Sequence, residues 1–162
     1  SQFVAVFGRR RVGKTFLVRE SFDYKFTFQH TGISTDSIIK PARKKTQLEE
    51  FSKSLAEAGF KPDKAPSTWY EAFDCLKEII KRSKDKKKVI FIDELSWMDT
   101  KDSELISALE SFWNGWVTAR KEKDVILIVC ASATYWMMNN IVNAKGGLHN
   151  RVTVRINLRP FT

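Results

Sequence analysis

Phe3-Val4-Ala5-Val6-Phe7-Gly8-Arg9-Arg10-Arg11-Val12-Gly13-Lys14-Thr15-Phe16 decides the fold of this 162-residue chain. The five apolar residues at its start predict a short strand buried on both faces. The strand stops at Gly8, and Phe16 to Phe22 predicts the first helix. Between them, residues 8–15 fit the spacing G-x-x-x-x-G-K-[ST]. Gly8 and Gly13 let the backbone turn where a Cβ would clash. A loop turned in this way points its N–H groups inward, and the following helix aims its positive end at the same place. That is a cradle for phosphate. Lys14 becomes the cation for the β- and γ-phosphates, and the Thr15 hydroxyl becomes a Mg²⁺ ligand. The expected nucleotide contacts are Gly8, Arg9, Arg10, Arg11, Val12, Gly13, Lys14, Thr15 and Phe16. The pattern does not require the three arginines, and at least two of them are expected in solvent.

The second signal lies 79 residues beyond the loop lysine (93 − 14), in Val89-Ile90-Phe91-Ile92-Asp93-Glu94. An apolar strand here ends in two carboxylates. Ligands of parallel sheets bind at the carboxyl ends of strands, so these acids are expected beside the phosphates. Asp93 is assigned to Mg²⁺ with Thr15. Glu94 is assigned to orient or deprotonate an attacking water. A carboxylate beside the metal-binding aspartate suits hydrolysis better than phosphoryl transfer to a small molecule.

The rest of the chain alternates strands and helices. Tyr24 to Phe28 predicts a second strand, and Thr31 to Lys40 a loop. Leu48, Phe51, Leu55 and Ala58 share a helical face that Gly59 ends. Trp69, Phe73, Leu76 and Ile80 form a second stripe, and Leu105, Leu109, Phe112 and Trp116 a third. Val125 to Val129 is a further apolar strand, and it is the candidate for insertion between the loop strand and the acidic strand. A short helix over Tyr135 to Val142 and an alternating strand at Val152, Val154 and Ile156 complete the pattern. The order predicts an α/β fold with a parallel, doubly wound sheet.

Polar groups at the last two strands add candidates. After the apolar strand come Ala131, Ser132, Ala133 and Thr134. Ser132 is the first choice to touch the γ-phosphate or the water, with Thr134 second. Arg151 is a candidate cation for a γ-phosphate, in this chain or a neighbouring copy, with Arg155 and Arg159 as competitors. His30 and His149 stand apart from other metal ligands, so no zinc site is expected.

Composition bounds the rest. At 43% hydrophobic residues, 162 residues suffice for one core. No apolar run has the length of a membrane span, and no membrane contact is expected. Cys75 and Cys130 each lie in apolar segments and read as buried thiols of a reducing, cytoplasmic setting. The net charge of +9 permits contact with nucleic acid without requiring it.

The ordered set of motifs resembles the P-loop core of the archaeal-type ATPases, relatives of the AAA+ and STAND ATPases. The resemblance runs through residues 7–15 and 91–98, then Ala108-Leu109-Glu110-Ser111-Phe112-Trp113-Asn114 and residues 129–137, to residues 146–151 and 158–162. It implies a three-layer α/β/α P-loop domain over residues 1–162, with a five-stranded parallel sheet in the order 5-1-4-3-2. It implies ATP with Mg²⁺, Lys14 and Thr15 as the phosphate–metal pair, Asp93 and Glu94 as the acids, and Ser132 as sensor. It places Arg151 near an arginine finger. It also implies a helical lid and a C-terminal domain beyond Thr162. The family often has Cys-Gly-Ser where this chain has Cys130-Ala131-Ser132. The chain opens in a strand and stops just after one, so a piece of a longer protein is expected. The absence of an Asn-Lys-x-Asp motif favours ATP over GTP. The leading expectation is an ATPase module that couples nucleotide state to a protein partner or to self-association. A regulatory switch with little hydrolysis, a nucleic-acid-associated module and a small-molecule kinase are the alternatives.

Overall fold

The computed structural model describes residues 1–9, 13–143, 148 and 150–159. Five strands, β1 (Gln2–Phe7), β2 (Phe28–Thr31), β3 (Lys88–Asp93), β4 (Val125–Ala131) and β5 (Val154–Asn157), form one sheet in the order β2-β3-β4-β1-β5. Every pairing is parallel. This is the expected 5-1-4-3-2 order read from the other edge, with β4 inserted between β1 and β3.

Alternation along the central strands divides the interior in two. Phe3, Ala5 and Phe7 of β1, Ile90 and Ile92 of β3, and Leu127 and Val129 of β4 face the larger core. Helices α2 (Arg43–Glu57), α3 (Trp69–Arg82) and α5 (Leu105–Phe112) cover it. Rings run through this layer from Phe28 to Phe51, Trp69, Phe73 and Phe112, with neighbouring centroids 5.1–6.1 Å apart. Val6, Val89, Phe91, Ile128 and Cys130 face the other way, onto Val18 of α1 (Lys14–Ser21). Helices on both faces explain why the central strands are apolar throughout.

Three local expectations shift. The second strand does not cover Tyr24–Phe28, because Asp23 and Tyr24 take positive φ values of 53° and 58° in the turn that ends α1. The strand begins at Phe28 and runs on to Thr31, the first residue of the expected loop. The stripe of α5 does not continue on one face to Trp116. The helix widens into a π turn over Trp113–Val117, marked by the bond from Thr118 N–H to Trp113 C=O. Trp113 and Val117 are therefore buried, and Trp116 only packs at the margin. A second π turn, Met138–Val142, follows α6 (Thr134–Met137) in place of a single helix.

Cys130 is buried, and burial pushes its thiol pKa well up. Cys75 is only half-buried, on α3, with a smaller rise from the same cause, which corrects its reading as a buried thiol. Among the described residues, no helix is long and apolar enough to cross a membrane.

Candidate functional site

The carboxyl ends of β1, β3 and β4 meet at one end of the sheet. The register sets Phe7 beside Ala131 and Ile92 beside Val129. The loop after β1, the acids after Ile92 and the hydroxyl of Ser132 thus emerge together, on strands widely separated in sequence.

Gly8 has φ of 144°, and a Cβ there would stand 2.3 Å from the carbonyl oxygen of Leu158. The close packing of the loop's first residue on the segment after β5 therefore excludes any side chain. Gly13 has φ of 88° and precedes α1 as its N-cap, with open space where a Cβ would point. Conformation, not crowding, selects glycine there. Lys14 is 5% exposed, and its Nζ donates to the carbonyls of Gly8 and Arg9, both at 2.9 Å. The ammonium is folded onto its own loop, whereas Phe16, two residues on, is exposed. Arg9 is exposed, as expected for part of the arginine run. Arg10, Arg11 and Val12 lie outside the described residues.

The Thr15 hydroxyl donates to Asp93 Oδ2 at 2.5 Å, joining the start of α1 to the end of β3 across 78 residues of sequence. Asp93 is 4% exposed, and its Oδ1 accepts the backbone N–H of Glu94 at 2.9 Å. Glu94 takes the left-handed conformation, φ 51° and ψ 47°, between β3 and the short helix α4 (Leu95–Met98). A non-glycine residue rarely adopts it, and such positions cluster at functional sites. That turn brings the side chain back to the sheet end, where Glu94 Oε1 accepts the Ser132 hydroxyl at 3.0 Å. Glu94 Oε2 is buried with no hydrogen-bond partner. A buried carboxylate oxygen left in this way keeps an unused acceptor capacity.

Two contacts escaped sequence reasoning. Gly32, just past β2, has its backbone against Glu94. A Cβ there would lie 2.4 Å from Glu94 C=O and 2.9 Å from Met98 Cγ. Its N–H donates to the Asp93 carbonyl at 2.9 Å. Trp136 of α6 donates its indole N–H to Asp99 Oδ2 at 2.9 Å, tying the segment after Ser132 to the segment after α4. Nothing local in the sequence marks either contact, since each joins elements that only the sheet order brings together.

Arg151 is not brought to this cluster. It is exposed in the turn before β5, at the amino end of a strand whose carboxyl end carries the loop side. Thr153, two residues on, bonds Phe3 at the start of β1. A parallel strand fixes this separation, so Arg151 cannot serve the loop of its own chain. Of its competitors, Arg159 follows Leu158, whose N–H donates to Phe7 C=O, and so stands at the loop's end of the sheet. Thr134 begins α6 and is half-buried. His149 lies outside the described residues. His30 is a core residue, with Nδ1 2.7 Å from Ser54 Oγ, and burial lowers its pKa to about 4.

The donor set suits a magnesium nucleotide. Thr15 and Asp93 offer neighbouring oxygens, and a hard cation that keeps water and phosphate ligands needs only one or two from protein. Lys14 has an ammonium held at the loop with carbonyl partners that an anion's oxygens can replace. An open groove of about 740 Å³, lined by Arg9, Ser96, Trp97, Ser132, Ala133 and Trp136, lies against the Ser132 end of this cluster.

A family model described as an ATPase domain predominantly from Archaea matches residues 1–162. No curated protein matches the chain. Among solved structures, the chain is similar to a Walker-type ATPase of Pyrococcus abyssi, with 15% identity and a TM-score of 0.58 over 98% of this chain and 49% of that one. It is similar to the ORC2 protein of Aeropyrum pernix, solved as ADPNP–ADP complexes, with 14% identity and a TM-score of 0.57 over 98% and 41%. It is also similar to Drosophila ORC bound to GC-rich DNA and Cdc6, with 13% identity and a TM-score of 0.54 over 99% and 52%. At these identities the likeness is one of fold. The chain spans about half the length of the solved structures it matches, or less.

Proposed function

The chain belongs to the family of ATPase domains found predominantly in Archaea, and from that premise we propose that it binds ATP with Mg²⁺ and hydrolyses it to ADP and phosphate. The observation that carries this reading is the 2.5 Å bond from Thr15 to Asp93, with Glu94 and Ser132 joined beside it. It supports the reading because Thr15, Asp93, Glu94 and Ser132 stand together at one sheet end.

In this reading the loop from Gly8 to Gly13 cradles the phosphates with its N–H groups. Lys14 exchanges its carbonyl partners for β- and γ-phosphate oxygens. Thr15 and Asp93 hold Mg²⁺, which when bound neutralises charge on those oxygens. Glu94 accepts a proton from, or orients, the attacking water. Ser132 passes between Glu94 and the γ-phosphate, so its hydroxyl registers which nucleotide is present. Arg151, at the far end of the sheet, acts only if it reaches the site of a neighbouring copy. A partner reads the nucleotide state.

Phosphate release by the intact protein, with and without Glu94→Gln, tests the assignment. The variant should keep Mg²⁺–ATP binding and lose ~10²–10⁴-fold in turnover. Unchanged turnover would remove Glu94 from the chemistry.

A further inference from the structure

A second groove lies on the other side of α4. Its volume is about 860 Å³. One wall is the segment from β2 to the first turn of α2, with Thr35, Lys40, Arg43 and Lys44. The other is Ser96, Trp97 and residues 99–102. Ser96 and Trp97 line both this groove and the one beside Ser132.

The charge in this groove is one-sided. Lys40, Arg43, Lys44 and Lys101 face only two acids, Asp99 and Asp102. Asp99 is engaged on both oxygens, by Trp136 Nε1 and Ser103 Oγ. Among the described residues, none of the four cations has a carboxylate partner, whereas the neighbouring Lys45 lies 3.9 Å from Glu49. Lys81 and Arg82 reach Glu78, and Lys88 reaches Asp124. Four like charges held around a concavity repel one another and attract a polyanion. The half-buried Trp97 adds an indole surface at the same wall. Spaced cations with an aromatic platform suit a strand whose bases are unstacked and whose phosphates are regularly spaced.

We propose that this groove holds single-stranded nucleic acid, with phosphates on Lys40, Arg43, Lys44 and Lys101 and a base against Trp97. Trp97 lies three residues after Glu94 in sequence. The strand would also contact the segment that follows Gly32, whose backbone packs on Glu94. This goes beyond nucleotide hydrolysis and names the partner that would read the nucleotide state.

Fluorescence anisotropy of labelled oligothymidylate, titrated into the intact protein across a range of salt, tests it. Lys40→Gln with Lys44→Gln should lower the slope of log affinity against log salt by about 1.4, from 0.7 for each lost contact. Trp97→Ala should weaken binding about five- to hundredfold. Lys86→Gln with Lys87→Gln, exposed residues at the opposite end of the sheet, should change neither. Equal losses from the two lysine pairs would overturn the proposal, as would no binding by the wild type. Tighter binding of polyglutamate than of oligothymidylate would overturn it in favour of an acidic protein segment. A thermal-shift titration with Mg²⁺–ATP on the same variants keeps the two readings apart. A nucleotide shift without oligothymidylate binding ends this proposal alone. Oligothymidylate binding without a nucleotide shift ends the ATPase reading alone.

Discussion

At the scale of the residue, Ser132 and His30 illustrate opposite uses of a buried polar contact. Ser132 donates to an acid at the open end of the sheet. If its hydroxyl reads the γ-phosphate, Ser132→Ala should leave Mg²⁺–ATP affinity within about twofold while turnover falls ~10-fold or more, the 1.4 kcal/mol of one modest hydrogen bond. Single-turnover hydrolysis measures this. Faster turnover in the variant would mean that the bond restrains Glu94. His30 instead sits against Phe51, with ring centroids 4.9 Å apart, and has a buried, unpartnered Nε2. Burial depresses its pKa from 6.5 to about 4, so the folded state prefers the neutral ring. The unfolded chain then binds more protons between these values. The contribution is complete above pH 6.5 and is lost as the pH falls toward 4, by about 3 kcal/mol at the limit. Urea unfolding at pH 7.5 and pH 4.5 should show this loss in the wild type and less of it in His30→Phe. Equal losses in both would place the acid sensitivity elsewhere.

At the scale of the element, the sequence was most legible where periodicity and glycine placement act locally. The strand–loop–helix around Lys14, the apolar strand ending in Asp93 and the stripe of α3 all follow from side chains near in sequence. The start of β2 did not, because Tyr24 and Phe26 are as strand-like as Phe28, and only the positive-φ turn at Asp23 and Tyr24 decides among them. The π turn after α5 rotated the stripe from Trp116 to Val117 by one inserted residue, which a 3.6-residue period cannot anticipate. Nothing in the run from Thr31 to Lys40 sets Gly32 apart from an ordinary loop glycine. Its value lies in an approach to Glu94 across two strands. Gly32→Ala should push the Glu94 carbonyl away, costing about 1–3 kcal/mol of stability from overpacking. Because the displaced residue is the proposed water-activating acid, kcat should fall while the KM for ATP changes little. A matched rise in KM would show instead that the whole site had loosened.

At the scale of the whole molecule, a parallel sheet sorts residues by strand end. Residues at carboxyl ends meet, and residues at amino ends are kept away from them. This rule collects Gly8, Thr15, Asp93, Glu94 and Ser132 from four segments. It also puts Arg151 out of reach, although its spacing before the last strand resembles that of a finger. The spacing was legible in the sequence, but the end of the strand on which it falls requires the direction of β5. The two grooves lined by α4 belong to this scale as well, since their walls come from the segments that follow β1, β2, β3 and β4.

The central claim is that the loop at residues 8–15 is a working nucleotide site. The measurement that tests it most directly is a thermal-shift titration of the intact protein with Mg²⁺–ATP, alongside Lys14→Ala. Ligand that binds only the folded state raises the melting temperature by mass action, by about 2.7 kcal/mol of added stability at a hundredfold excess over Kd. A concentration-dependent rise with ATP is expected, and it should disappear in a folded Lys14→Ala variant. A wild-type protein that melts at the same temperature with and without millimolar Mg²⁺–ATP would contradict the claim, as would a shift that survives in Lys14→Ala.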